Sequence, residues 1–154
     1  MAIAALIEDI AMRVLLFSLV ALSLGACAGT AVPPADPQQA WVELATQQPS
    51  HTISANRLDG ARLSDGRFFQ VSPGAHELDV RFQYERAGSG GGMDPMGGGP
   101  GPVTCILRVK YADFAAGQRY RLEARPLAAK AQAWLYDEQR KVLARGEVLR
   151  CGPY

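Results

Sequence analysis

The chain has 154 residues, 48% of them hydrophobic and 20% charged, with a formal net charge of +1. That composition suits one globular domain and excludes a disordered chain. The near-neutral balance also excludes the basic surplus of a nucleic-acid binder, so no nucleic-acid partner is expected.

The first 26 residues are a different material from the rest. Arg13 precedes an apolar run from Val14 to Leu24, followed by Gly25 and Ala26. A basic start, a short apolar core and a small-residue exit predict a secretory signal peptide. The run is shorter than the roughly 20 residues a spanning helix needs. Glu8 and Asp9 sit oddly in a signal's first segment, and Met12-Arg13 reads as a more regular start. Residues 27–40 follow, small and polar with Pro33, Pro34 and Pro37. They predict an extended tether rising about 3.1 Å per residue.

From Trp41 onward the periodicity is two. In residues 76–84, Leu78, Val80, Phe82 and Tyr84 share one face, while Glu77, Asp79, Arg81 and Gln83 share the other. That alternation predicts a half-buried antiparallel strand. The pattern repeats at Val103, Cys105, Leu107, Val109 and Tyr111, which points Cys105 inward, and again at Tyr120, Leu122 and Ala124. Residues 131–136 and 142–149 flank Asp137-Glu138-Gln139-Arg140 as a terminal hairpin, with Cys151 just beyond it. Turn residues separate the runs: Asp59-Gly60 and Asp65-Gly66 tolerate positive φ, and Pro73-Gly74 presets a turn. No window holds a 3.6-residue period. The expected fold is all-β, a single small antiparallel β-sandwich of about seven short strands over residues 41–154.

Three cysteines are present, Cys27, Cys105 and Cys151. With Cys27 taken up at the exported N-terminus, the other two form an even pair, and in an oxidising compartment they predict one disulfide.

Candidate chemistry is sparse. The loop over residues 86–102 is glycine-rich and lacks the Gly-Lys-Ser/Thr of a phosphate cradle. Its Met93 and Met96 are the weak candidates for a soft metal, so a small-ligand or metal-binding periplasmic module is the alternative function. His51 and His76 lack further ligands at sensible spacing, and the serines show no nucleophile elbow. Neither a catalytic set nor a cofactor is expected, and Glu77 and Asp79 read as solvated neighbours. Arg81, Arg108, Lys110, Arg119, Arg121 and Arg125 fall on outward faces. Together they form a candidate patch for anionic headgroups or cell-wall polymer. Trp134 and Tyr136 oppose Ala131, Ala133 and Leu135 in parity, so small residues facing inward would leave an exposed aromatic pair.

Two resemblances add to this. Leu24-Gly25-Ala26-Cys27 resembles the bacterial lipobox, which implies cleavage before Cys27, lipidation of its thiol and anchoring to a membrane. Several acyl chains make such anchoring stable. Ala28, where aspartate would favour the inner membrane, implies the outer membrane, facing the periplasm. Separately, Leu58-Asp59-Gly60 and the stretch Phe68 to Val80, with Pro73-Gly74-Ala75-His76, resemble the PEGA-type module over residues 54–84. The chain is also similar to small proteobacterial lipoproteins that end in a like hairpin. The resemblance implies a small PEGA-like or immunoglobulin-like β-sandwich and no catalytic residues; with no catalytic set in the chain, a structural or protein-binding role is the expectation.

Overall fold

The computed structural model describes residues 31–86, 101–127 and 130–153. The predicted signal peptide, Cys27, and Met93 and Met96 of the glycine loop lie outside the described residues. Residues 35–154 form one compact unit, so the folded unit starts ahead of Trp41, within the segment expected to be tether.

Ten strands build it: β1 (Ala40–Thr46), β2 (Thr52–Leu58), β3 (Ala61–Arg62), β4 (Phe68–Val71), β5 (Gly74–Arg86), β6 (Gly101–Phe114), β7 (Arg119–Leu127), β8 (Lys130–Tyr136), β9 (Val142–Arg145) and β10 (Glu147–Pro153). They form two five-stranded sheets, β4-β1-β7-β8-β9 and β10-β6-β5-β2-β3. The fold is therefore the expected β-sandwich, with ten strands among the described residues in place of about seven. The pairing of β1 with β7 is parallel, so the first sheet is mixed rather than antiparallel. In addition, β5 and β6 are long strands of 13 and 14 residues.

The alternation seen in sequence makes the core. Leu78, Val80, Phe82, Leu107 and Val109 of the second sheet meet Val42, Phe69, Val71, Leu122 and Leu135 of the first, all essentially fully buried. Each large side chain removed from water there contributes about 1.5–3 kcal/mol. Phe114 closes one end, with Tyr111 and Tyr120 edge-on at centroid distances of 5.0 Å.

Turn chemistry follows the residues. Asp59 and Gly60 both hold positive φ, 49° and 82°, in a two-residue loop between β2 and β3. This is the primed turn that matches strand twist. Gly66 does not adopt positive φ; its value is a close approach, since a Cβ there would lie 3.3 Å from the Ala55 carbonyl oxygen.

The C-terminal segment departs most from expectation. Residues 142–149 are not one strand. The chain leaves the first sheet at Gly146 and enters the second as β10. A Cβ at Gly146 would sit 3.0 Å from both Ala133 and Val109, one residue from each sheet, so only glycine crosses there without displacing neighbours. Cys151 consequently lies within β10, directly opposite Cys105 of β6, and the two are joined as a disulfide.

Candidate functional site

The outer face of the second sheet holds the candidate site, a hollow of about 350 Å³ lined by Asn56, Arg57, Arg62, Asp79, Arg81, Ile106, Arg108, Leu149 and Arg150. Each of the sheet's five strands supplies one arginine. Strand register sets them in two adjacent rows. Arg62 pairs with Arg57, Arg57 with Asp79, and Asp79 with Arg108. In the next row Arg81 pairs with Ile106, and Ile106 with Arg150.

Two β-bulges shape this face. One falls between Ala55 and Arg57, the other between Val148 and Arg150. An extra residue at a bulge re-aims the side chains that follow it. Here the two bulges place Arg57 and Arg150 outward on either flank while Ala55 and Cys151 stay inward.

Asp79 was expected to be solvated and is instead 3% exposed. The fork of Arg108 lies over it, with Nε 2.7 Å from Oδ1 and a terminal nitrogen 2.9 Å from Oδ2. A bidentate, charge-assisted pair of this kind fixes geometry as well as energy. The carboxylate holds the Arg108 guanidinium well above the ordinary arginine range, chiefly through those hydrogen bonds. Arg108 also lies 3.2 Å from Glu77. Glu77 and Asp79 are thus each taken up by cations and do not face one another across a substrate gap.

The other predicted basic residues do not join the hollow. Lys110 sits on the same face but bridges Glu77 and Glu147, at 3.4 and 3.8 Å. Arg121 belongs to the other sheet, with its buried Nε 3.8 Å from Glu123. A sandwich has two outer faces, and period-two reading does not say which one a residue joins.

Trp134 and Tyr136 do face outward, with Ala131, Ala133 and Leu135 inside, but no exposed aromatic pair results. Trp134 is only 8% exposed, roofed by the Arg125 guanidinium 3.9 Å above its ring. Tyr136 is half-buried under Arg140. Stacked guanidinium planes cover indole and phenol faces well.

A second cluster joins Ser72, His76 and Asp59. His76 Nδ1 lies 2.7 Å from Asp59 Oδ2, and Nε2 lies 3.0 Å from Ser72 Oγ. Those distances match a nucleophile, base and carboxylate set in line. Nε2 is equally 3.0 Å from the Ser72 carbonyl oxygen, which can only accept. Nε2 is thus shared between the Ser72 hydroxyl and the Ser72 carbonyl, and both ring nitrogens are engaged by the neighbouring turns. The cluster ties the turn before β5 to the turn after β2. Among the described residues, no group of three or more His, Cys, Asp or Glu side chains could hold a metal ion.

Asp59 carries a pH signature. Its carboxyl is held below the ordinary value of 3.8, first by the Glu77 backbone N–H and then, against a smaller opposing effect of burial, by His76. A depressed folded-state value contributes stability that is complete above 3.8 and fades as pH falls through the folded value. Asp59→Asn is therefore expected to lower the melting temperature at neutral pH. The gap from wild type should close as melting is followed from about pH 6 to pH 2. A gap that stays constant over that range would contradict the assignment.

No known protein family, curated protein or solved structure matches this chain. Fold and site together define a small, disulfide-linked two-sheet β-sandwich with an arginine-lined outer face.

Proposed function

We propose that this chain is a lipid-anchored protein of the bacterial envelope whose β-sandwich binds an anionic partner and performs no catalysis. Cys27 would carry the lipid, in the outer membrane and facing the periplasm. The lipobox-like Leu24-Gly25-Ala26-Cys27 supports the anchor, and the Cys105–Cys151 bridge is in keeping with an oxidising compartment. The observation that carries the binding role is the hollow itself, five guanidinium groups lining it against one carboxylate. Like charges gathered on one face cost free energy unless an anionic partner offsets them.

Two measurements test this. The mass of the mature N-terminus should show acylated Cys27; a bare thiol with an intact leader would refute the anchor. The purified chain should sediment with anionic cell-wall polymer at low salt and lose that association as salt rises, because exposed charge pairs are screened. Absent or salt-independent association would refute the binding role.

A further inference from the structure

The chemistry of the hollow is narrower than positive charge alone, an inference that rests on its being a binding site. All of its cations are arginines; no lysine lines it. A guanidinium presents a planar fork of N–H donors that meets two oxygens of one phosphate at once, whereas an ammonium acts as a point charge. Asp79 lies near the centre of the two rows and accepts both fork bonds of Arg108. Arg108 is also within 3.2 Å of Glu77, which leaves Arg57, Arg62 and Arg150 as the lining cations with no carboxylate at ion-pair distance among the described residues. A phosphate monoester carries close to two negative charges at neutral pH and offers three strong acceptor oxygens. A diphosphate monoester, with up to about three negative charges, matches those three cations.

The remaining walls fit an esterified phosphate better than a bare ion. Ile106 lies on the outer face yet is 7% exposed, flanked across the strands by Arg81 and Arg150, and Leu149 stands 45% exposed beside it. This apolar ledge suits the carbon skeleton to which a phosphate is attached. We propose that the hollow is a receptor site for a phosphate-ester or diphosphate group.

The test is calorimetric titration of the full chain in detergent, with inorganic pyrophosphate and citrate as probes of similar charge. Pyrophosphate is expected to bind at least about tenfold more tightly than citrate, since the forks match phosphate geometry. Arg62→Gln combined with Arg150→Gln should weaken pyrophosphate roughly tenfold or more. Neither residue has an ion-pair partner among the described residues, so the fold should tolerate the change. Arg119→Gln, exposed on the other sheet, should change nothing. Competition by a short-chain phosphatidic acid separates the sources. Displacement of pyrophosphate assigns a lipid headgroup, and no displacement assigns a soluble phosphate; either outcome supports the site.

Equal affinity for citrate would overturn the phosphate assignment while leaving an anion-binding face. So would equal loss in the Arg119→Gln variant. Binding of neither probe would overturn the site and the binding role together.

Discussion

Replacing both bridge cysteines, as Cys105→Ala with Cys151→Ala, is expected to lower stability by about 4 kcal/mol. The bridge joins residues 46 apart in sequence, and closing a loop of that length removes a large share of the unfolded chain's freedom. For a folded unit of this size the melting temperature should fall by roughly 15 °C. The bond sits where its loss also matters locally. Cys105 is fully buried on the inner face of β6, and β10 is an edge strand held on one side only. Alanine is the better replacement because serine would leave a hydroxyl in the core. Reduction of the unaltered protein should give a similar drop. A fall of less than about 5 °C in both experiments would show that the bridge does little for stability.

Phe82→Ala is the second large effect, with an expected cost of about 3–5 kcal/mol. Phe82 is fully buried in β5, the central strand of its sheet. It stacks on Tyr84 at 5.4 Å between centroids, and His51 meets it edge-on at 5.6 Å. Long strands on either side limit collapse into the vacated space, so a cavity term adds to the lost transfer energy. Denaturant unfolding should show the midpoint falling with little change in slope. A cost below about 1 kcal/mol would mean the core closes over the site. Phe82 pairs directly with Cys105 across β5 and β6. The two changes touch one another, so their effects are not expected to add.

The strands of the centre were legible because half-burial writes itself into alternation. Leu78, Val80, Phe82 and Tyr84 face inward as their spacing requires, and all are buried. The Asp59-Gly60 hairpin was equally plain, since few residue pairs accept positive φ twice in succession. His76 sits half-buried beside Phe114, and its two partners, Asp59 and Ser72, come from separate turns that no local pattern links.

The arginine hollow was only partly visible. Arg81 and Arg108 lay on clear period-two strands. Arg57 and Arg150 follow bulges, where one extra residue inverts the parity that sequence reading relies on. Arg62 stands on a two-residue strand, too short to show any period.

The sequence by itself determined the all-β class, the inward residues of the long strands and the tight turn at Asp59-Gly60. It could do so because these depend on neighbours within a few positions. Only the tertiary structure decided which sheet each strand joins, the parallel partnership of β1 with β7, and the passage of the chain between sheets at Gly146. It also decided that Arg125 covers Trp134 and Arg108 covers Asp79. Those outcomes turn on contacts between segments far apart in the chain, where the closeness of approach and the pairing of charges are set by packing rather than by local pattern.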